Sequence, residues 1–322
     1  MQLPLVIEPS SEGVDANRWV AENHQELTDA LHRHGAILFR GFDVHGREAF
    51  EDFIVAASSG EWVAYREAAT PRSHVGGHIY TSTEFPPQYR IYLHNENSHV
   101  TTWPARLFFH CDVPPGSRGQ TPIADCRKVY EALDPVIRDR FVNRGWLYKR
   151  TFGYGLGFTW QQVFNVSSKD ELARYCANNA MVAEWLSEKQ LRVKYRRWAA
   201  LRHPVTGENV WFNHGLFYNV WNLTPDQKRF LASFGASKMP YDTAYGDAAL
   251  IDPDTLEHLH AAYESAKVMF DWQTGDVLMI DNMLTAHGRE PYEGERRILV
   301  GMTGQIDCRS LADPAIYSTD GL

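Results

Sequence analysis

The 322-residue sequence contains no apolar run long enough to cross a membrane, and its first residues do not resemble a secretion signal. The opening stretch MQLPLVIEPSSEGVD has neither the basic start nor the apolar centre of a signal peptide. A membrane-spanning helix needs about 20 predominantly apolar residues in succession. These absences predict a cytoplasmic protein with no membrane partner.

Cysteine pairs and an excess of positive charge are also missing. The four cysteines, Cys111, Cys126, Cys176 and Cys308, are widely separated and form no CxxC pair, which excludes a zinc ribbon and a disulfide-built scaffold. The formal net charge is −8, whereas a nucleic-acid-binding surface needs clustered lysine and arginine. The short basic run 194–197 reads as a solvated loop or strand end. We therefore expect no nucleic-acid partner.

The chain does contain enough apolar and aromatic residues for a large core. Hydrophobic residues make up 44% and aromatic residues 13% of the sequence, including ten tryptophans, which is typical of a folded protein with an aromatic-lined interior. The length is compatible with two domains, but β-barrels and sandwiches of about 200–250 residues often form one unit. We predict a single domain over residues 1–322.

Apolar periodicity and turn signals predict strands near both ends of the chain and helices between them. Long loops are predicted at 62–89, and a lid-like segment at 147–164. This order predicts a mainly β protein with helical insertions at about 127–190 and 224–270 and a double-stranded β-helix, or jelly-roll, core. The predicted helices are 17–34, 47–58, two within 127–143 of which the second starts at Asp134-Pro135, 168–187, 224–235 and 252–269. The predicted strands are 36–42, 90–96, 105–113, two within 191–214, 275–282 and 296–304.

Two short motifs on predicted strands have metal-binding residues at a suitable spacing: His94 with Glu96, and His110 with Asp112. Residues i and i+2 of a strand point to the same face, so each pair can reach one ion. A catalytic iron site uses two histidines and one carboxylate with open positions for further ligands. Our working hypothesis combines His94 and Glu96 with the distant His287, although one such motif alone is a weak signal and the residues leave the second motif open.

A family resemblance extends over nearly the whole chain and is carried by seven segments. They are ILFRGF (37–42), YTSTEFPPQYRIYLHNENSH (80–99), WPARLFF (103–109), GQTPIADCRKVY (119–130), WQQVF (160–164), HPVTGENVWFNH (203–214) and GDVLMIDNMLTAHGREPYEGERRILVGM (275–302). Together they resemble the TauD/TfdA-type Fe(II)/2-oxoglutarate dioxygenases, most closely the clavaminate-synthase-like branch with an HxE motif. Within that branch the chain is most similar to the syringomycin-biosynthesis type of amino-acid hydroxylase of nonribosomal peptide pathways.

Carried over by position, the resemblance implies that His94, Glu96 and His287 bind Fe(II) and act in catalysis. It leaves the motif of His110 and Asp112 outside the family pattern. We therefore predict that His110 is a core residue of its strand.

The resemblance also implies two contacts to 2-oxoglutarate. Thr121 matches the hydroxyl that contacts the cosubstrate, and Arg297 matches the arginine that pairs with its distal carboxylate. The chemistry agrees, because a guanidinium group binds a carboxylate through two parallel hydrogen bonds. Arg296 is expected to point to the opposite face of the strand. Arg289 is a weaker candidate for binding a substrate carboxylate.

The candidate substrate contacts are specified least by the sequence. His99 stands where family members often have tyrosine, so it is either a loop histidine or a contact to a polar group of the substrate. Trp211 and Asn213 alternate with Phe212 and His214, which predicts that one of the two pairs faces the pocket. We select Trp211 and Asn213, although core packing explains the tryptophan equally well.

The resemblance implies an oxygenase of secondary metabolism that uses Fe(II), 2-oxoglutarate and O2. The expected reaction is hydroxylation of an unactivated C–H bond in an amino acid or amino-acid-derived small molecule, either free or bound to a carrier protein. Glu96 argues against halogenation, because a chloride ligand requires that the carboxylate position be vacated. Three alternatives stay open: desaturation or ring formation at the same iron, hydrolysis at a zinc ion held by the same residues, and ligand binding without catalysis. The sequence indicates no oligomeric state.

Overall fold

The computed structural model of the protein describes residues 2–58, 61–63, 73–154, 157–232 and 239–322. Helices and strands contribute roughly equally to these residues. The α-helices are α1 (Ala16–Glu22), α2 (His24–His34), α3 (Gly46–Ala57), α4 (Cys126–Ala132), α5 (Pro135–Arg144), α6 (Trp160–Phe164), α7 (Lys169–Asn178), α8 (Pro225–Ala232) and α9 (Pro253–Ala266), with short 3₁₀ turns at Val220–Asn222 and Cys308–Ser310.

The strands alternate with these helices along the chain. They are β1 (Leu5–Ile7), β2 (Ala36–Phe39), β3 (His74–Gly76), β4 (Ile79–Thr81), β5 (Ile91–His94), β6 (Thr102–Val113), β7 (Ser117–Arg118), β8 (Ile123–Asp125), β9 (Trp146–Phe152), β10 (Val182–Trp185), β11 (Leu191–Arg197), β12 (Ala200–Arg202), β13 (Asn209–Trp211), β14 (Tyr241–Tyr245), β15 (Lys267–Val268), β16 (Val277–Asp281), β17 (Thr285–Arg289), β18 (Tyr292–Glu293) and β19 (Arg297–Asp307).

Two facing sheets form the jelly-roll core. The main sheet has the strand order β1-β2-β16-β6-β19-β4-β3, and the smaller sheet has the order β15-β8-β17-β5. Leu38, Leu107 and Ile298 of the main sheet form one apolar cluster with Ile123 of the smaller sheet. The sheets therefore bury their apolar faces against each other, and the predicted jelly-roll core is confirmed, with helices contributing about as many residues as strands.

Helices α1 to α3 cover the outer face of the main sheet. Leu31 of α2 and Phe53 of α3 are fully buried against Phe39 and Phe108 of the sheet, and burial of one such side chain stabilises the fold by about 1.5–3 kcal/mol. Helix α2 ends at His34, and its C-cap Gly35 has a left-handed φ of 81°. Because a Cβ there would lie 2.6 Å from the Thr285 hydroxyl oxygen, only glycine fits between α2 and the start of β17.

The two insertions are not simply helical. Strands β9 and β10 of the first insertion and β14 of the second join β11 in a second sheet, in the order β10-β11-β9-β14. The predicted helix 168–187 was too long, because α7 ends at Asn178 and the Val182 to Trp185 segment pairs with β11. Likewise β9 occupies the first third of the segment 147–164 that was predicted to be lid-like. Pairing with neighbouring strands overrides the local pattern at both places.

Some predicted elements lie partly outside the described residues. These are part of the loop predicted at 62–89, two residues of 147–164 and the end of the helix predicted at 224–235. The described part of the first includes the hairpin of β3 and β4. Across the described residues, we find no helix with the length and apolar character to span a bilayer. The single-domain organisation stays a prediction.

Candidate active site

Strands β5 and β17 place two histidines opposite each other. His94 is the last residue of β5, and its partner across the sheet is His287 of β17. Both side chains are buried, with ring centroids 4.5 Å apart. His94 Nδ1 lies 2.8 Å from the carbonyl oxygen of Tyr92, which makes Nδ1 the donor and leaves the Nε2 lone pair for a metal ion. Strand register thus brings together two residues that are far apart in sequence.

Glu96 reaches the same point from a turn. The strand predicted to include it ends at His94, and Asn97 has a left-handed φ of 57°, so the sequence analysis was wrong to place both motif residues on one strand. Asn282 holds this turn: its Oδ1 accepts a hydrogen bond from the Glu96 amide at 2.8 Å. Its Nδ2 donates to the carbonyl oxygens of Glu96 and Pro104, each at 2.9 Å. Asn282 is therefore a positioning residue that the sequence analysis missed.

The three side chains form a donor set of the right size for one metal ion. The candidate ligand atoms of His94, Glu96 and His287 all lie within 4.8 Å of one another, and Glu96 Oε2 is 3.8 Å from His287 Nε2. Among the residues that the structure describes, this is the one group of three with such geometry. Two imidazoles and one carboxylate fit Fe(II) with open positions, and the same set also fits zinc.

The second motif lies elsewhere. His110 is fully buried, its ring is stacked on Phe50 at 5.1 Å, and its Nδ1 lies 3.2 Å from the carbonyl oxygen of Asp276. Burial lowers the pKa of His110. Asp112 forms an ion pair with Arg297. The structure therefore places His110 in the packing between the main sheet and the N-terminal helices.

A small cavity with an empty volume of ≈ 390 Å³ adjoins His94 and His287. Thr121 and Arg296 lie on its wall, where Arg296 Nη2 donates to Thr121 Oγ1 at 3.3 Å. Trp272 Nε1 donates to the same hydroxyl oxygen at 3.1 Å, a contact that the sequence analysis missed. The remainder of the wall is mainly apolar and includes Phe109, Ile298 and Val300.

Arg296 brings a partly buried positive charge to this cavity. Its other hydrogen bonds go to the Gly119 carbonyl oxygen at 2.9 Å and the Ser82 hydroxyl at 3.3 Å. Burial, together with the charge of Arg289, lowers the pKa of Arg296 to about 10. Within the described residues it has no carboxylate partner. A partly buried cation of this kind is stabilised by an anionic ligand, and the distal carboxylate of 2-oxoglutarate fits that requirement.

Arg297, the predicted cosubstrate contact, points away from the cavity. Its side chain is 53% exposed and forms an ion pair with Asp112. Ile298 and Val300 line the cavity, and strand alternation puts Arg296, not Arg297, on their face. The sequence analysis assigned the two arginines to the wrong faces. Residues 298–303 are buried on both faces of the strand, so the apolar pattern did not show which face was inward.

Arg289 lines the same cavity but is bound to the protein itself. Its guanidinium donates to the carbonyl oxygens of Phe85, Pro86 and Tyr89 at 2.8–2.9 Å. These contacts fix the loop after β4, which borders both cavities. The predicted role of Arg289 in binding a substrate carboxylate is therefore replaced by a role in loop positioning.

A larger cavity, with an empty volume of ≈ 1560 Å³, opens on the other side of the candidate metal centre. His94 belongs to the walls of both cavities, and Glu96 belongs to the wall of the larger one. Its wall is mostly aromatic and amide-bearing, and it includes Phe85, Tyr89, Tyr92, Asn97, His99, His214, Phe217, Tyr218, Asn222, Gln227 and Tyr241. These residues form a substrate-sized space beside the candidate ligands.

His99 faces this larger cavity. Of the two interpretations offered by the sequence, this position agrees with a contact to the substrate. Its ring packs edge-on against His214 at 4.7 Å and Tyr218 at 5.3 Å. Burial, reinforced by the charges of Arg150, Arg197 and His94, lowers the pKa of His99 to about 3. His99 therefore offers the cavity a neutral imidazole.

Trp211 and Asn213 do not line either cavity described above. Trp211 packs against Phe141 at 5.6 Å in the core. Asn213 Nδ2 donates to the Ala199 carbonyl oxygen at 2.7 Å, and its Oδ1 closes the turn that follows β13. Of the other pair, His214 faces the larger cavity and Phe212 packs against Trp103 in the core, so neither pair lines the cavity as a whole. β13 ends at Trp211, and the alternation on which the choice rested ends with it.

A jelly roll whose interior carries two histidines and a carboxylate, beside a cavity with an arginine on its wall, is typical of mononuclear iron oxygenases that use a 2-oxo acid. Comparison with known proteins gives the family. Residues 2–303 match the model of the TauD (taurine catabolism dioxygenase), TfdA family. The chain belongs to this family and is an Fe(II)- and 2-oxoglutarate-dependent oxygenase, which confirms the predicted cosubstrates Fe(II), 2-oxoglutarate and O2.

Individual relatives agree with this assignment. The chain is 36% identical over 241 residues to dapdiamide synthesis protein DdaC of Enterobacter agglomerans, covering 74% of this chain and 73% of that protein. It is 28% identical over 271 residues to a clavaminate synthase-like protein of Arabidopsis thaliana, covering 78% and 82%. Among solved structures, PvcB of Pseudomonas aeruginosa gives a TM-score of 0.55 at 15% identity, covering 92% of this chain and 84% of PvcB. AAD-2, solved with Mn(II) and N-oxalylglycine, gives 0.54 at 15% identity, covering 95% and 96%.

Proposed function

We propose that the protein hydroxylates an unactivated C–H bond of an amino acid or an amino-acid-derived small molecule, with His94, Glu96 and His287 as the iron ligands. The observation that carries this proposal is the position of the three residues between two cavities of different character. The small cavity has a partly buried arginine, Arg296, for a cosubstrate carboxylate. The larger one is neutral and aromatic beside Glu96, which suits an organic substrate.

The residues of the chain have separable tasks in this reaction. Bound Fe(II) supplies the oxidising chemistry, in which O2 is consumed, 2-oxoglutarate becomes succinate and CO2, and one oxygen atom enters the substrate. Arg296 and Thr121 bind and orient the cosubstrate, and Trp272 holds the Thr121 hydroxyl. Ile298 and other apolar wall residues exclude water from that cavity.

Two relatives support a small-molecule biosynthetic role. The name of DdaC assigns that protein to dapdiamide synthesis, and PvcB is described as an oxygenase of an isonitrile synthetic pathway. We propose that this chain likewise acts in a pathway of secondary metabolism that modifies amino-acid-type compounds. Desaturation or ring closure requires the same iron site and stays an alternative outcome.

Product analysis tests the proposal directly. The protein, loaded with Fe(II) without oxygen, is exposed to O2 and 2-oxoglutarate with free amino acids and with carrier-bound aminoacyl groups. We expect succinate release that depends on the substrate, and a product heavier by one oxygen atom. A product lighter by two hydrogens favours desaturation or ring closure. Activity with zinc and without 2-oxoglutarate contradicts the oxygenase reaction.

A further inference from the structure

Arg150 lies on the inward face of the second sheet. Along β9, the side chains of Tyr148, Arg150 and Phe152 share one face because strand residues alternate. The Arg150 guanidinium carbon is 5.0 Å from the centre of the Phe152 ring. On the neighbouring strand β14, the residue paired with Arg150 is Tyr241. Arg150 and Tyr241 therefore stand side by side on the same face of the sheet.

That face adjoins the wall of the larger cavity. Four aromatic rings form a row from His94 to Tyr241. The ring centroids of His94 and His214 are 5.3 Å apart, those of His214 and Tyr218 are 5.1 Å apart, and those of Tyr218 and Tyr241 are 5.9 Å apart. All four residues line the cavity. Burial raises the pKa of Tyr241, and the positive charge of Arg150 opposes that effect. The guanidinium is thus close to the Tyr241 end of this row, whereas the candidate metal centre is at the His94 end.

The protein satisfies its other inward-facing arginines with its own acceptors. Arg197 donates to the carbonyl oxygens of His99, Arg196 and Asn179. Arg289 donates to the carbonyl oxygens of the loop after β4, and Arg90, on the cavity wall, pairs with Glu264 and Glu290.

Arg150 is different. It is half-buried, and among the residues that the structure describes it has no hydrogen-bond acceptor and no carboxylate partner. A partly desolvated guanidinium gains most from an anionic partner. The charged residues that line the described part of the cavity are Glu96, a candidate metal ligand, and Arg90, which is paired with Glu264 and Glu290. Beside this wall, Arg150 is therefore the positive charge that still lacks an anionic partner among the described residues.

We propose that Arg150 binds a free carboxylate of the substrate, beside Tyr241, while the reacting C–H bond lies toward Glu96. This inference rests on the proposed function and narrows it to a substrate class. A planar guanidinium matches one planar, singly charged carboxylate through two parallel hydrogen bonds. An amino acid then enters with its carboxylate free, because a carrier-bound thioester has lost the α-carboxylate that Arg150 would bind.

The test compares free amino acids with derivatives that lack the charge. Wild-type protein with Fe(II) and 2-oxoglutarate is assayed for succinate release with each proteinogenic L-amino acid, its amide and its N-acetylcysteamine thioester. We expect stimulation by one or more free amino acids and little by the matching neutral derivatives. Arg150→Met should raise KM for the free acid roughly 10- to 100-fold with kcat nearly unchanged, the pattern for loss of uniform binding. Arg150→Lys should recover part of that loss.

Lys149→Met is the matched control, because Lys149 is the next residue on β9 and faces the opposite side of the sheet. Its KM should equal that of the wild type. Equal stimulation by acids and amides, stimulation by thioesters alone, no stimulation by any free amino acid, or an unchanged KM in Arg150→Met overturns the inference. Failure of the proposed function looks different: the wild type would then bind no 2-oxoglutarate in the presence of Fe(II) under anaerobic conditions, in a calorimetric titration that needs no substrate.

Discussion

The guanidinium of Arg296 donates to the hydroxyl oxygen of Thr121 across 3.3 Å, inside the small cavity beside the candidate iron ligands. The same oxygen also accepts from Trp272, so the hydroxyl proton of Thr121 is left to point toward an acceptor in the cavity. Together the cation and the hydroxyl offer a carboxylate one charged contact and one directional hydrogen bond. Arg296 and Thr121 therefore form the polar end of a cavity whose wall is otherwise mainly apolar.

Replacing Arg296 should therefore weaken binding of 2-oxoglutarate, and replacing its neighbour should not. For Arg296→Ala we expect KM for 2-oxoglutarate to rise roughly 10- to 100-fold, the effect of losing a charge-assisted hydrogen bond. Arg297→Ala removes an exposed ion pair with Asp112, which contributes about 0–1 kcal/mol to stability and nothing to the cavity. Steady-state succinate release at varied 2-oxoglutarate measures both. The reverse ranking of the two variants would restore Arg297 as the cosubstrate contact.

The metal ligands can be tested against the rejected motif. His94→Ala, Glu96→Ala and His287→Ala should each lose bound iron and turnover, because two remaining ligands hold Fe(II) poorly. His110→Ala should keep stoichiometric iron while losing roughly 2–4 kcal/mol of unfolding free energy, since it empties a buried site against Phe50. Elemental analysis after gel filtration, paired with urea unfolding, separates the two outcomes. Iron loss from His110→Ala would contradict the assignment.

The apolar strands predicted the jelly-roll core, whereas the motif spacing left two candidate pairs open. The choice of His94 and Glu96 with the distant His287 came from the family resemblance. The sequence did not predict that Glu96 lies in a turn, because nothing in the segment marks the strand end at His94. Nor did it predict β17, the strand that carries His287. The sequence TAHGR has no apolar alternation, and this strand is buried between β5 and β8.

The sequence analysis assigned Arg296 and Arg297 to the wrong faces of the strand for a related reason. Alternation reveals an inward face only when the other face is polar. β19 has the jelly-roll interior on one side and the N-terminal helices on the other, so Leu299 is as buried as Ile298. The second sheet was missed because its strands pair across residues that are distant in sequence, as in the pairing of Tyr241 with Arg150.

Asn282 should control metal affinity without touching the metal. Its side chain forms two hydrogen bonds with the backbone of Glu96 and one with that of Pro104. Asn282→Ala therefore leaves buried amide and carbonyl groups without these partners, which costs about 1–3 kcal/mol of stability for each group. We expect lower thermal stability, weaker Fe(II) binding, and turnover that recovers at high Fe(II). In Glu96→Ala, by contrast, added Fe(II) should not restore turnover. Unchanged Fe(II) affinity in Asn282→Ala would show that the turn is held by other contacts.

Acid sensitivity should arise at Asp281, which precedes Asn282 and is buried. Burial opposes its ionisation, but the hydrogen bond and charge of His203, the Leu284 amide and the charge of His32 outweigh burial and hold the pKa of Asp281 below its usual range. A carboxyl group whose folded-state pKa is lowered stabilises the fold above its unfolded pKa of about 4, and this contribution disappears as the pH falls through the folded-state pKa. Urea unfolding of wild type and Asp281→Asn should therefore differ most near neutral pH. The difference should shrink as the pH falls below about 4. If the difference in unfolding free energy between the two proteins stayed constant from neutral to acid pH, ionisation of Asp281 would contribute no stability beyond that of the neutral amide.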